Sequence, residues 1–242
     1  MNYYVDIHSN LSPAVPTVSG GTLTREEALS RTELFRDSNI KTAVAAPFFS
    51  PDFTDSQAFL KARDHAISGL GDSAQPMRIV GGAVLPLQYC LEHPRDLRQF
   101  ALGESDYLLI ELPHGRITGE LCENITRLRI VSGLYPVAVD IDRHYDIWTP
   151  EDWIALRPTG TLLQISIDGL LNPEHRKLSL YLLANQYAHF VATGSRNIKE
   201  PLHFTEAMRI IQRNLPAQLY RRVKNNPGML LSNAEPSAFL ES

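Results

Sequence analysis

The residues best able to do chemistry stand at the ends of short apolar runs. "VDIHSN" at residues 5–10 closes a strand-like run with Asp6-Ile7-His8, and alternation aims position 10 into the same pocket as His8. Position 10 is Asn, so a metal site that begins there stops one residue short. Further on, Glu111 ends "YLLIEL" and Asp140 ends "YPVAVD". His8, Glu111 and Asp140 are all types that ligate divalent cations. Taken alone, His8 reads as a pocket histidine held by hydrogen bonds, and a buried Glu111 needs a partner, which Arg143 or Arg196 would supply. No GxSxG elbow is present, and neither Cys90 nor Cys122 begins a C-x5-R phosphate loop, so covalent catalysis has no visible nucleophile.

The elements that must position these residues follow a regular order. Apolar runs rich in β-branched and aromatic residues at 3–7, 41–46, 78–84, 107–112, 135–141, 161–166 and 189–193 predict strands buried on both faces. Amphipathic stretches between them predict helices. "TREEALSRTELFRDSN" opens with a capping box of Thr24 and Glu27, "DSQAFLKARDHAI" with Asp55, and "TPEDWIAL" with Pro150 at the first helical position. "TGELCENITRLRIVSG", "NPEHRKLSLYLLANQ" and "FTEAMRIIQRNL" are the other three. "NNPGMLLSNAEPSAFLES" reads as a last helical turn followed by a polar tail from about 232. Seven strands alternating with helices imply parallel βαβ units. Closed into one barrel over residues 1–242, they place chemistry at the C-terminal strand ends.

Composition narrows the functions. The 43% hydrophobic content supports a large core, and the net charge of −4 gives no electrostatic reason to expect nucleic acid or an anionic membrane. No apolar run approaches the roughly 20 residues that span a bilayer, and the first residues carry no secretion signal, so the expectation is a cytoplasmic protein without membrane insertion. Cys90 and Cys122 read as small core residues. His189 reads as a packing residue, and Tyr135, Tyr145, Trp148 and Trp153 as one aromatic cluster of core and rim.

In the order of its motifs the chain resembles the bacterial metal-dependent protein-tyrosine phosphatases of the polymerase and histidinol phosphatase (PHP) superfamily. These are encoded with capsule and exopolysaccharide machinery and dephosphorylate its tyrosine kinases. The family's opening D-x-H-x-H is matched by Asp6, His8 and, imperfectly, Asn10. Its T-x-E-E-S helix start, GGE strand, "IE" strand, "AHxER" strand and "HFxASDxHN" segment are met by "TLTREEALS", "GGAV", "LIELP", "AVDIDRH" and "HFVATGSRN". The resemblance spans the chain and implies an α/β fold, the PHP-type distorted (βα)7 TIM-like barrel.

The resemblance makes His8 a first ligand histidine and Glu111 a bridging glutamate. It leaves Asn10, Phe48, Ala83, Asp140, Gly194 and Arg196 where the family has other ligands. Arg143 matches an arginine of the family that resembles a substrate-phosphate contact. Phe48 brings an apolar ring and Arg196 a fixed charge that repels cations, so a multinuclear cluster is not expected to assemble. The expectation is therefore no cofactor, with a single Mn, Fe or Zn ion on His8, Glu111 and Asp140 as the alternative. Arg143 and Arg196 are the expected phosphate-binding residues. The implied role is a catalytically degenerate phosphatase homologue. It would regulate polysaccharide production by binding a bacterial tyrosine kinase or its phosphotyrosine tail. The alternatives are an active metal-dependent phosphatase with a reduced site, and a purely structural assembly subunit. An oligomer is compatible with any of these.

Overall fold

The structure is a computed structural model and describes residues 3–13, 15, 22–52, 54–194 and 203–240. Eight strands lie among them: β1 (Tyr4–Ser9), β2 (Ile40–Ala45), β3 (Arg78–Gly81), β4 (Val84–Pro86), β5 (Tyr107–Glu111), β6 (Tyr135–Ala138), β7 (Leu162–Ser166) and β8 (Phe190–Ala192). The helices are α1 (Arg25–Asp37), α2 (Ser56–Leu70), α3 (Leu87–Glu92), α4 (Gly119–Ser132), α5 (Pro150–Leu156), α6 (Ile167–Leu171), α7 (Pro173–Ala184), α8 (Phe204–Asn214), α9 (Ala217–Leu231) and α10 (Ser237–Leu240).

All pairings are parallel, in the order β1-β2-β3 and β4-β5-β6-β7-β8. Two seams turn these sheets into a ring. Phe49 N–H donates to Val84 O at 2.8 Å, and Val84 N–H to Pro47 O at 3.0 Å, joining the end of β2 to β4. Gly194 N–H donates to His8 O at 3.0 Å and Ala46 N–H to Ser9 O at 2.9 Å, joining β8 to β1 and β1 to β2.

The third strand expected from the sequence, 78–84, is divided into β3 and β4 at Gly82-Ala83. A Cβ on Gly82 would lie 2.7 Å from both Leu102 Cδ2 and Val44 Cγ1, so the chain there passes closer to its neighbours than any side chain permits. Along β5 the residues alternate. Tyr107 and Leu109 join an inner apolar cluster drawn from strands around the ring, while Leu108 and Ile110 join the layer under the helices.

Local chemistry explains where helices begin. Thr24 Oγ1 accepts from Glu27 N–H at 3.1 Å, and Glu27 accepts from Thr24 N–H at 2.8 Å, completing the capping box of α1. Asp55 caps α2, Thr118 caps α4 and Asn172 caps α7, each through its side-chain oxygen. The short helices α3 and α6 are not evident in the sequence. Each spans under two turns and carries no side-chain cap.

The expected polar tail from about 232 is corrected. Beyond α9 the chain returns to the barrel, where Tyr107 donates its hydroxyl to Ala234 O. Phe239 is fully buried, edge-on to Tyr107 at 5.9 Å and 5.5 Å from Phe190. The aromatic cluster is corrected too. Tyr145, Trp148 and Trp153 pack together, whereas Tyr135 packs on Tyr107 elsewhere.

Two consequences are measurable. Phe239→Ala removes a filled position from the inner cluster and should destabilise the fold by about 3–5 kcal/mol in denaturant unfolding. An unchanged midpoint would show the last helix to be dispensable. His189 is buried with its Nδ1 accepting from Leu163 N–H at 3.0 Å. Burial, then the charges of Arg222 and Arg157, push its pKa down to about 3. A histidine depressed in this way contributes stability that is intact above its unfolded value near 6.5 and lost as pH falls toward 3. Unfolding free energy should therefore fall through that window with an extra slope approaching one proton, absent in His189→Gln. Identical slopes in the two proteins would contradict it.

Candidate functional site

The C-terminal strand ends gather a compact set of polar side chains at one mouth of the ring. His8, on β1, is buried, and its Nδ1 lies 3.2 Å from Gln164 Oε1 and 3.4 Å from Asp140 Oδ1. Gln164 Oε1 already accepts Asp140 N–H at 3.0 Å, so the His8 contact requires a hydrogen on Nδ1. Asp140 holds φ 49° and ψ 43°, a left-handed conformation unusual for a residue with a side chain. Burial is the largest influence and opposes charge on His8, but Asp140, Asp6 and the Gln164 contact together outweigh it and raise the imidazole pKa above its ordinary value.

Asp6 lies beneath them and is fully buried. It accepts from Thr193 Oγ1 at 2.6 Å and from His8 N–H at 3.1 Å. Burial pushes its pKa up to about 6 against the pull of those bonds. Asn10 is buried as well, as are Ser9 and Leu11 on either side of it. Gly194 closes the same side. A Cβ there would stand 3.5 Å from Asp140 Oδ1.

Glu111 ends β5, and Arg143 Nη1 donates to its Oε1 at 2.6 Å. The partner expected of Glu111 is thus Arg143, and both side chains reach solvent, 43% exposed for Arg143 and 23% for Glu111. Phe48 sits past β2 and Ala83 between β3 and β4, fully buried. Arg196 and Ser195 lie outside the described residues.

Two residues that the sequence reading passed over belong to this neighbourhood. Asp142 is buried and accepts from Ser166 N–H at 2.7 Å and Ser166 Oγ at 2.6 Å, tying the loop after β6 to the end of β7. Burial, followed by the charge of Asp140, raises its pKa. Arg31 of α1 is 8% exposed and feels the charge of Asp6. The signal for Arg31 was available, since it falls on the buried helical face with Ala28, Thr32 and Phe35.

Beside Glu111 lies a cleft of about 440 Å³ between α3, the loop 113–118 and the start of α4. The buried carboxylate of Asp152 holds that loop. It accepts from Arg116 Nε at 2.7 Å, Ile117 N–H at 2.9 Å and Thr149 N–H at 2.7 Å. Trp148 Nε1 donates to Gly115 O at 2.8 Å, and the Trp148 ring stacks on His144 at 4.4 Å.

Among the described residues no three His, Cys, Asp or Glu side chains come together as a metal-binding group. Glu111 is engaged by a guanidinium, and Asp6 is saturated by hydrogen bonds within the barrel wall. Of the three expected ligands, His8 and Asp140 stand side by side, while Glu111 is paired with Arg143.

The comparisons with known proteins agree with this architecture. The family model for capsular polysaccharide synthesis, CpsB/CapC, matches residues 4–232. The chain is 23% identical over 237 residues to the tyrosine-protein phosphatase YwqE of Bacillus subtilis (strain 168), covering 95% of this chain and 92% of that protein. It superposes with TM-score 0.82 and 22% identity, over 96% of this chain and 95% of the other. That match comes from a crystallographic study of YwqE from Bacillus subtilis and CpsB from Streptococcus pneumoniae, described as metal-dependent tyrosine phosphatases. The phosphotriesterase homology protein of Escherichia coli, complexed with phosphate in its active site, follows at TM-score 0.54 and 10% identity, over 95% of this chain and 98% of that one. The fold is therefore the PHP-type, TIM-like barrel. The expectation of no cofactor is overturned by the same findings, because the relatives that share this fold are described as metal-dependent.

Asp152→Ala should release the loop 113–118. Losing a buried acceptor of several hydrogen bonds predicts about 1–3 kcal/mol of destabilisation, with amide exchange accelerated at Arg116 and Ile117 first. Unchanged exchange at these two amides would mean that the loop is held otherwise.

Proposed function

The chain belongs to the CpsB/CapC family of capsular polysaccharide synthesis, and on that premise we propose that it is a catalytically degenerate tyrosine-phosphatase homologue regulating capsule or exopolysaccharide production. Its ligand in this reading is a bacterial tyrosine kinase of that machinery, recognised through a phosphotyrosine tail. The reading places it in the cytoplasm, where such tails are exposed; no described helix is long and apolar enough to cross a membrane.

One observation carries the proposal. The glutamate that the resemblance assigns to bridging metal ions is instead gripped by Arg143 at 2.6 Å. A carboxylate engaged this way is a weak candidate for sharing between two cations. The guanidinium, half out in solvent, can exchange one oxyanion for another, and a phosphate offers it paired, charge-assisted hydrogen bonds. Arg143 and Arg196 are the proposed phosphate contacts. His8, Asp140 and Glu111 are the proposed ligands of at most one Mn, Fe or Zn ion, which when bound would supply local positive charge to a phosphoryl group. Around it, Gln164 orients His8 and fixes the Asp140 backbone.

The competing reading, an active phosphatase with a reduced metal site, is favoured by the description of the relatives as metal-dependent tyrosine phosphatases. The experiment that separates the two compares this protein with YwqE side by side. Both are purified without chelator and assayed for metal content and for turnover of a phosphotyrosine peptide with added manganese. Degeneracy predicts no more than one ion per chain and turnover lower than that of YwqE by several powers of ten. It also predicts tighter binding of the phosphorylated than of the plain peptide, lost in Arg143→Ala. Turnover comparable to YwqE that disappears in His8→Ala would establish the enzyme instead.

A further inference from the structure

The cleft beside Glu111 is lined in part by the residue that holds Arg143. Two chemistries meet in it. Leu87 and Leu112, both buried, and Leu91 and Leu121, both half-buried, line it and give it an apolar floor. Two carboxylates also line it, those of half-buried Glu111 and exposed Glu120. Glu111 is paired with Arg143. Arg116 is likewise paired with Asp152. With those pairs cancelled, Glu120 in the first turn of α4 leaves the cleft a net negative edge.

The walls are also built in advance. Asp152 and Trp148 hold the 113–118 loop by its side chains and backbone, so the cleft does not have to be assembled when something enters.

We propose that this cleft is a specificity subsite that takes a lysine or arginine side chain flanking the phosphotyrosine of the bound peptide. A long basic side chain is apolar along its stem and charged at its tip, so its methylenes suit the leucine floor and its cation suits Glu120. A leucine or aromatic residue would use the floor but leave the carboxylate edge without a counterpart. An acidic flanking residue would meet that edge with like charge. The proposal rests on the phosphotyrosine reading above and adds a sequence preference to it.

The test is a set of phosphotyrosine peptides with alanine at all flanking positions except one, which is lysine, leucine or glutamate in turn. Each is titrated against the wild-type protein, Glu120→Gln and Leu91→Trp, with O-phosphotyrosine as the reference ligand. At one flanking position lysine should bind about three- to fivefold tighter than alanine, the scale of an exposed ion pair. Glutamate there should bind more weakly than alanine. Glu120→Gln should remove the lysine advantage, and Leu91→Trp, which fills the cleft, should remove it as well. Neither change should alter affinity for O-phosphotyrosine. Phosphopeptide binding without a lysine preference at any position overturns the subsite and leaves the phosphotyrosine reading standing. So does a preference for leucine, or a lysine preference that survives both substitutions. If neither O-phosphotyrosine nor any phosphopeptide binds, both readings fall.

Discussion

A ring of parallel strands persists only while its first and last strands remain bonded to each other, and here a buried carboxylate helps to join them. Asp6 on β1 accepts the hydroxyl of Thr193, just past β8, and the backbone N–H of His8. The seam therefore passes directly beneath the candidate site. Removing a carboxylate from water is costly, which is why its pKa rises to about 6, and the bonds from Thr193 and His8 offset part of that cost. The same seam sets His8 next to Asp140 and brings Gly194 beside Asp140, with Gly194 at a φ of 73° that disfavours any side chain.

Above the seam, the site is organised by pairing rather than by convergence. His8 turns to Asp140 and Gln164, Glu111 to Arg143, and Asp142 to Ser166. Each acid has a different neighbour, an imidazole, a guanidinium or a hydroxyl, and only Glu111 faces a fixed positive charge. A multi-ion phosphatase needs the opposite arrangement, with carboxylates shared between metals. The relatives that share the barrel are described as metal-dependent. On the proposed reading, the difference from them lies in the side chains at the strand ends and not in the scaffold, since function resides in sites grafted on folds.

Much of this was legible in the sequence because the signals were periodic or local. Continuous apolar runs marked the strands, and Thr24, Asp55, Thr118 and Pro150 marked helix starts that the structure places at those residues. The break at Gly82 was not legible, since it depends on how closely Leu102 and Val44 approach, which is a tertiary fact. The return of Phe239 to the barrel was hidden by a polar composition around one aromatic residue. At the site, burial alone does not reveal an alternation at position 10, because Ser9, Asn10 and Leu11 are all buried. Asp142 was passed over because its partner, Ser166, belongs to the next strand and no spacing rule links the two. Arg31 carried a readable helical phase that a charged residue makes easy to dismiss.

The central claim is that Arg143 exchanges Glu111 for phosphate at a site holding no more than one ion. A crystal structure grown with both manganese and phosphate addresses it directly. The account predicts phosphate bonded to Arg143, Glu111 released from that ion pair, and at most a single manganese beside His8 and Asp140. Two or more manganese ions bridged by Glu111, with Arg143 turned away, would contradict it.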